Sequence, residues 1–333
     1  MRISYDDLLV KLKEILVKHG VSEEDAHNTA KVFAKNSLDG IYSHGVNRFP
    51  RFVSYIQKGY VKVDKKAEVE FGFNAFERWN GNLGIGILNA TKAMDRACEL
   101  SEKYGIGVVA LRNTNHWMRG GSYGWQAANQ GKIGICWTNT TPNMPAWGGV
   151  EPKIGNNPLV ISVPKSDREH VVLDMAMSQF AYGKIEEARM KNEQLPVHGG
   201  FDSQGNLTTD PASIEASGRI LPTGYWKGSG LSIILDLMAA VLGNGRSVTN
   251  IGQLEDEYGI SQVFIAINPK MNNTSTQMDS IINQVIEDIK ESTPIQSGGK
   301  IFYPGEIELR TRKENLKLGI PVLDEVWEKL NQL

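Results

Sequence analysis

Two segments of the chain place a histidine among arginine, glycine and aromatic residues. The first, residues 42–52, contains His44 and Arg48, and the second, residues 112–126, contains His116. An imidazole titrates near neutral pH and can pass a proton to a carbonyl oxygen. A guanidinium can bind a carboxylate through two parallel hydrogen bonds. The combination suits a site that binds a small anion and reduces it.

Local patterns predict that His44 lies just outside a helix. Pro50 suits the first helical turn, where its missing N–H is not needed, so residues 46–49 form the loop that leads into the helix. Apolar residues then recur at helical spacing, and a helix anchored in this way would hold His44 and Arg48 still. A structural loop histidine and a solvated arginine fit these residues equally well.

His116 is predicted to lie between a strand and a helix, a common position for catalytic groups. Residues 107–111 are apolar and indicate a buried strand, and residues 121–130 indicate a helix. Gly120 and Gly121 would let backbone amides approach a ligand closely. A tight structural turn, with the histidine bound by backbone groups, is the alternative that these residues leave open.

Several longer stretches resemble the type 2 malate/L-lactate dehydrogenase family, whose members are NAD(P)-dependent 2-oxoacid reductases. Besides the two histidine segments, the resemblance rests on residues 134–139, 154–159, 195–202, 220–230 and 256–262. So many motifs in one order along nearly the whole chain are far more specific than one short pattern. The family's catalytic proton donor matches His44.

The resemblance also implies a set of cofactor contacts in three stretches of the chain. They are His170, Val171, Val172, Leu173, Asp174, Met175, Ala176, Trp226, Lys227, Gly305, Glu306 and Ile307. It further implies a homodimer and a nicotinamide-binding sheet that is not a Rossmann sheet. The sequence is consistent with the last point, because no complete Gly-x-Gly-x-x-Gly turn is present between a strand and a helix.

The segment Gly228-Ser229-Gly230 is a candidate phosphate site. Ser229 can cap the helix that follows and leave backbone amides pointing outward, and Lys227 adds a positive charge. A plain helix cap is the alternative. Residues 231–242 are apolar almost all round, which predicts a buried helix. A membrane span is not expected, because it needs about 20 apolar residues and Asp236 interrupts this run.

Composition makes several functions poor candidates. The 333 residues carry 36 basic and 38 acidic side chains, a net charge of -2, without a basic block, so nucleic acid and membrane are poor candidate partners. Cys98 and Cys136 have no closely spaced partner, so we expect no disulfide framework, no metal site and a reducing cytoplasm.

The pattern of elements predicts an α/β fold, in which a mixed sheet is flanked by helices and preceded by a mainly helical region. Ser4 with Asp7, and Ser22 with Asp25, resemble capping boxes that open two helices. The expected divisions are residues 1–75, helical and supplying substrate contacts; 76–299, the nicotinamide-binding and substrate core; and 300–333, a segment that packs back on the N-terminal region.

Apolar runs also predict individual elements after residue 75. Strands are expected at 106–111, 133–138, 159–163, 171–175 and 263–267, and an extended stretch at 301–309. A helix at 278–290 would place Ile281, Ile282, Val285 and Ile289 on one face, and a last helix is expected at 322–330. Residues 199–213 are polar and turn-rich, which is typical of a surface loop or a flap.

With the resemblance included, the predicted function is reversible reduction of a small 2-oxoacid by NADH, which is expected over NADPH. Protonated His44 would donate a proton to the ketone oxygen, Arg48 would bind the carboxylate, and His116 would be a second contact. A sugar-derived 2,3-diketo acid is the expected substrate, and the family's malate, lactate, sulfolactate, ureidoglycolate and imino-acid activities are alternatives. A protein that binds sugar acids without catalysis is a further alternative. A hydrolase with Ser43 as nucleophile is a poor candidate, because the sequence has no Gly-x-Ser-x-Gly nucleophile elbow.

Overall fold

The fold was analysed in a computed structural model that describes residues 1–271 and 273–333. The helices in this part of the chain are α1 (Tyr5–Lys18), α2 (Glu23–Leu38), α3 (Phe49–Gln57), α4 (Gly86–Tyr104), α5 (Gly121–Asn129), α6 (Tyr182–Met190), α7 (Pro211–Ser217), α8 (Trp226–Gly243), α9 (Val248–Ile251), α10 (Ser275–Glu291), α11 (Glu306–Leu318) and α12 (Asp324–Gln332). The strands are β1 (Arg2–Ile3), β2 (Glu68–Phe73), β3 (Phe76–Asn80), β4 (Ile106–Thr114), β5 (Ile133–Thr138), β6 (Met144–Pro145), β7 (Pro152–Ile154), β8 (Leu159–Val163), β9 (Val171–Met175), β10 (Gly200–Phe201), β11 (Leu207–Thr208), β12 (Ile260–Ile267) and β13 (Ile320–Pro321).

Within the described residues, seven strands form a central mixed sheet in the order β2-β3-β4-β12-β5-β8-β9. Strands β3 and β4 are parallel, and the remaining neighbours are antiparallel. The predicted α/β fold with a mixed sheet flanked by helices is therefore confirmed. The strands predicted at 133–138, 159–163 and 171–175 have these bounds, whereas β4 continues to Thr114 and β12 begins earlier, at Ile260.

The two faces of the central sheet bury alternate side chains, as the two-residue period of a strand requires. Val109 and Phe264 belong to a core shared with α4 and α5, whereas Ala110 and Val263 belong to a second core shared with α8. Both faces of the sheet are therefore covered by helices, and catalytic side chains have to come from loops at its ends.

A third core joins the beginning and the end of the chain. Phe33 and Phe49 from α2 and α3 pack in the same cluster as Ile320 and Leu330. Strand β1 pairs with β13, so the first and last elements close this lobe together. The predicted caps of α1 and α2 are confirmed, because Ser4 Oγ accepts from Asp7 N at 3.1 Å and Ser22 Oγ accepts from Asp25 N at 3.3 Å.

The extended stretch predicted at 301–309 is wrong, because helix α11 begins at Glu306. Gly305 takes a left-handed backbone with φ of 95°, a conformation that glycine adopts readily and that turns the chain into the helix. A Cβ on Gly305 would lie 3.2 Å from Val172 N, so this turn also packs closely against β9. The last helix, predicted at 322–330, begins at Asp324. Residues 199–213, predicted as a surface loop or a flap, contain the hairpin of β10 and β11 and the start of α7.

Helix α8 is less buried than its sequence predicts. One side packs on the central sheet through Leu235 and Ala239, but Leu237 is 51% exposed and Val241 is 74% exposed. By length and composition α8 could cross a bilayer, and 33% of it is buried inside this chain. Helix α10 also leaves its predicted apolar face uncovered, and among its described side chains none is buried.

Candidate active site

The structure brings together the two histidines that the sequence singles out. His44 ends a short 3-10 turn, Tyr42–His44, before α3, and His116 lies in the loop between β4 and α5, as predicted. Their rings stack with centroids 5.8 Å apart and an interplanar angle of 16°. The candidate site is therefore formed where the N-terminal lobe meets one end of the central sheet.

The backbone around His44 is fixed by α2. Asn36 Nδ2 donates to the carbonyl oxygen of His44 at 2.9 Å, and Val46 N donates to Ser37 Oγ at 2.8 Å. A Cβ on Gly45 would lie 2.3 Å from Ser37 Oγ, so the loop can approach α2 this closely only at a glycine. These contacts fix the backbone that carries the imidazole relative to α2.

His116 is set up to remain neutral and to donate a hydrogen bond. Met118 N donates to its Nδ1 at 2.9 Å, so the proton of the neutral ring resides on Nε2. Burial, and then the positive charge of Arg48, holds the pKa of His116 well below its ordinary value. The Nε2–H group can therefore bind a carbonyl or carboxylate oxygen without supplying a full positive charge.

Without a bound ligand, the charge of His44 differs from the charge that the sequence predicted. Burial, followed by the charges of Arg48 and Arg119, lowers the pKa of His44 to about 4. The imidazole is then neutral at pH 7, whereas the sequence predicted a protonated donor. Its Nδ1 lies 3.1 Å from Ser43 Oγ, and the hydroxyl can act as donor or acceptor there.

A small cavity adjoins His116, and its lining combines opposite charges. It is lined by Arg48, Arg51, Tyr55, Asn115, His116 and Glu257, among others, and encloses about 20 Å³. That space is close to one water molecule, so a substrate of several carbon atoms requires the long side chains around it to move aside. Among the described residues, the Arg48 guanidinium has no hydrogen-bond or ion-pair partner, as a carboxylate-binding group requires.

Glu257 is a charged residue of this cavity to which sequence analysis assigned no role. Its Oε2 accepts from Thr141 N at 2.8 Å, which connects the cavity to the loop that follows β5. Burial and Arg51 lower the pKa of Arg48, and the charge of Glu257 opposes that effect. Glu257 belongs to the stretch 256–262, but a run of adjacent polar residues does not show which side chain reaches a cavity.

Behind the histidines lies a buried ionic network that the sequence did not predict. Asp39 Oδ2 accepts from Arg119 Nη1 at 2.7 Å, and Asp39 Oδ1 accepts from Arg312 Nε at 2.6 Å. The side chains of Asp39 and Arg119 are 1% and 2% exposed. The network joins the end of α2, the loop of His116 and α11.

Asp174 has a structural contact in addition to any cofactor role. Its Oδ2 accepts from Gly121 N at 2.8 Å and lies 3.7 Å from Arg119 Nε. The amide of Gly121, expected to face a ligand, therefore binds this carboxylate at the first turn of α5. Burial raises the pKa of Asp174, and Arg119 and the Gly121 hydrogen bond counteract that rise.

The three stretches expected to bind the cofactor follow one edge of the central sheet. Residues 170–176 include β9, and Val172 N donates to Pro304 O at 2.9 Å, which places Gly305 beside them. Just after β9, Thr223 N donates to Met177 O at 2.8 Å, and Trp226 follows at the start of α8. The structure thus brings the stretches together, and their cofactor role remains a prediction.

The predicted cap at Ser229 is wrong. Tyr225 takes a positive φ of 62° and begins α8 earlier, at Trp226, so Ser229 lies inside the first turns. Its Oγ accepts from Trp147 N at 2.9 Å instead of from its own helix. The candidate phosphate site at Gly228-Ser229-Gly230 therefore lacks the helix cap on which it was based.

Comparison with known proteins agrees with the geometry. The sequence model described as malate/L-lactate dehydrogenase matches residues 3–331. The chain belongs to this family. The 2,3-diketo-L-gulonate reductase of Citrobacter koseri is 45% identical over 334 residues, covering 100% of both chains.

Solved structures of other family members share the whole fold. Sulfolactate dehydrogenase from Methanocaldococcus jannaschii is 33% identical with a TM-score of 0.89, covering 100% of this chain and 96% of that one. The delta1-piperideine-2-carboxylate reductase from Pseudomonas syringae is 26% identical with a TM-score of 0.86, covering 100% and 99%. As a malate/L-lactate dehydrogenase family member, the chain is an oxidoreductase.

Proposed function

We propose that this enzyme reduces 2,3-diketo-L-gulonate to 3-keto-L-gulonate with NADH. The observation that carries the proposal is the stacked pair His44 and His116 beside the guanidinium of Arg48, which has no hydrogen-bond or ion-pair partner among the described residues. The 45% identity to 2,3-diketo-L-gulonate reductases over the full length supports the choice of substrate. A reduced nicotinamide would supply the hydride.

In this proposal Arg48 binds the substrate carboxylate through a two-point hydrogen-bonded pair. His116 Nε2–H donates to an oxygen of the same substrate, because its Nδ1 is already occupied by Met118 N. These two contacts orient the ketone toward His44. Orientation of this kind converts a chance encounter into a reaction between fixed partners.

His44 then donates the proton that the ketone oxygen requires. A bound carboxylate neutralises Arg48, one of the two charges that lower the pKa of His44, and adds a negative charge nearby. The pKa of His44 rises as a result, so the enzyme takes up its catalytic proton together with the anionic substrate. General acid catalysis of this type contributes roughly 100- to 10,000-fold in rate.

The residues along β9 fit a nicotinamide dinucleotide. Ser178 Oγ, between the β9 stretch and Trp226, is buried and has no hydrogen-bond partner among the described residues, so it is available to a bound polar group. At the other end, a cavity of about 380 Å³ reaches His170 and is lined by Lys165, Arg168 and Lys270, whose charges suit cofactor phosphates. We propose the predicted stretches as the residues that hold the cofactor.

We further propose that the enzyme is a cytoplasmic homodimer. The exposed apolar face of α8, which includes Leu237 and Val241, would be covered by a second copy. Both thiols, Cys98 and Cys136, are free and buried, as suits a reducing compartment. A Val241→Glu substitution should shift the mass measured by light scattering toward the monomer; an unchanged mass would place the subunit contact elsewhere.

The experiment that tests the activity is a steady-state panel of 2-oxoacids with NADH and NADPH in parallel. We expect the fastest loss of NADH absorbance with 2,3-diketo-L-gulonate, and slower turnover with pyruvate, oxaloacetate, sulfopyruvate and cyclic imino acids. A higher kcat/KM for one of those compounds would reassign the substrate within the family. Binding of sugar acids without any turnover would instead indicate a protein that binds but does not catalyse.

A further inference from the structure

The cavity beside His116 contains hydrogen-bond acceptors that hydride and proton transfer do not use. Glu257 is one of them. Its Oε2 is occupied by Thr141 N, whereas its Oε1 has no hydrogen-bond partner in the described part of the chain. Glu257 and Arg48 line the same cavity without forming an ion pair with each other. A positive and a negative group thus line one small cavity, and a substrate that moves the surrounding side chains aside would meet both.

Asn115 adds a second unused acceptor. Its Nδ2 donates to the carbonyl oxygens of Tyr60, Leu83 and Gly84 at 3.0, 2.8 and 3.0 Å, which fixes the orientation of the amide. The side chain is 2% exposed, and Oδ1 is buried with no partner among the described residues. Asn115 lines the cavity, and a buried acceptor left without a donor is costly, so a ligand that carries a donor and moves the neighbouring side chains aside would satisfy Oδ1.

We propose that Glu257 and Asn115 select substrates that carry hydroxyl groups beyond the 2-oxo acid, and that Glu257 rejects a second carboxylate. The inference rests on the proposed function, because it takes Arg48 as the group that binds the first carboxylate. Hydroxyl groups on the rest of the substrate donate to Glu257 Oε1 and Asn115 Oδ1. The site therefore prefers a polyhydroxylated monocarboxylate to a dicarboxylate or a short acid.

Two kinds of disfavoured substrate bind poorly for different physical reasons. A short acid such as pyruvate leaves both acceptors unpaired and loses the hydrogen bonds, including one to a charged group. A dicarboxylate such as oxaloacetate brings a second negative charge toward Glu257 in a poorly solvated space, where like charges repel strongly. Removing the charge of Glu257 while keeping its shape should affect these two substrates differently.

The test is Glu257→Gln, assayed with a hydroxylated 2-oxoacid such as 2-keto-L-gulonate, with pyruvate and with oxaloacetate. We expect kcat/KM to fall about tenfold for the hydroxylated acid, to rise about tenfold for oxaloacetate, and to stay within about threefold for pyruvate. The reversal between the first two substrates is the decisive readout, because a general loss of folding or of catalysis would lower all three together.

The matched control is Glu255→Gln on the same loop. The Glu255 carboxylate is exposed, accepts from Tyr60 OH at 3.3 Å and does not line the cavity, so we expect unchanged substrate ratios. If Glu257→Gln leaves the ratios as they are in the unmodified enzyme, or if Glu255→Gln reverses them equally, the inference is overturned while the proposed activity stands.

A binding measurement separates this outcome from failure of the proposed function. Titration calorimetry with 2-keto-L-gulonate and oxaloacetate reports the same preference even if no acid in the panel is reduced. Tighter binding of the hydroxylated acid, lost in Glu257→Gln, would support the specificity role. Equal affinities for the two acids in the unmodified enzyme would overturn it. Should Glu257→Gln fold poorly, Glu257→Asp retains the charge and should still disfavour oxaloacetate.

Discussion

Replacing Asp39 with Asn should destabilise the enzyme severely although Asp39 contacts neither His44 nor His116. The carboxylate accepts hydrogen bonds from Arg119 at 2.7 Å and from Arg312 at 2.6 and 2.9 Å, and it is 1% exposed. Asn is almost the same shape, so the substitution removes the charge and leaves no cavity. The guanidinium groups of Arg119 and Arg312 then lose the negative charge that balances them.

The expected loss in free energy of unfolding depends on how many carboxylates still lie near the two guanidinium groups. Removing one partner of a buried ion pair costs about 3–5 kcal/mol. Arg119 retains weaker contacts with Glu308 at 3.6 Å and Asp174 at 3.7 Å. The loss in free energy of unfolding should therefore lie near the lower limit, at about 3 kcal/mol.

Urea denaturation of Asp39→Asn and of Asp64→Asn would measure the difference. Asp64 pairs with Lys65 at the surface, with its side chain 71% exposed, so its loss should leave the free energy of unfolding almost unchanged. Adding Arg312→Met to Asp39→Asn removes one uncompensated cation and should recover part of the loss. A change below about 1 kcal/mol in Asp39→Asn would refute the argument, because it would mean that the network contributes no more than a surface pair.

Three further predictions concern the site itself. Substituting His44 with Ala should reduce turnover by at least about 100-fold while leaving NADH binding by fluorescence titration nearly intact, and near-normal turnover would remove His44 as the proton donor. Arg48→Lys should raise the Michaelis constant for the 2-oxoacid strongly, because lysine cannot form the two-point pair; an unchanged constant would move the carboxylate site elsewhere. Stability should also respond to acid: the unfolded His44 titrates near 6.5 and the folded one near 4, so the unfolded state binds the proton first as pH falls. Between those values the native state should lose about 3 kcal/mol that His44→Gln does not lose, and identical pH profiles of urea denaturation would contradict the lowered pKa.

Local features of the fold were predictable because neighbouring residues determine them. The caps at Ser4 and Ser22 were predicted because each side chain binds an amide three residues away, and Pro50 indicated where α3 begins. The mistakes arose where local signals compete. At residues 301–309 the sequence predicted an extended stretch, but the left-handed backbone of Gly305 starts a helix.

Long-range features of the site were predictable only in part. The sequence identified His44 and His116 as separate candidates, but their stacking depends on how the N-terminal lobe packs on the sheet. Asp39, Arg119 and Glu257 received no role, because a buried ion pair or a cavity wall is defined by residues far apart in the chain. Likewise, the apolar composition of α8 predicted a buried helix, but it did not show that Leu237 and Val241 stay exposed in this chain.

The lobe that carries His44 is completed by residues far along the chain, because β1 pairs with β13. Apolar groups around Phe33 and Phe49 are synthesised about 270 residues before Ile320 and Leu330, which complete their core. The first lobe therefore stays partly uncovered until these later residues have been synthesised, and exposed apolar surface of this kind favours aggregation. A truncation that removes Ile320 and Leu330 would uncover the core side of α2 and α3 and loosen the backbone between them, which carries His44.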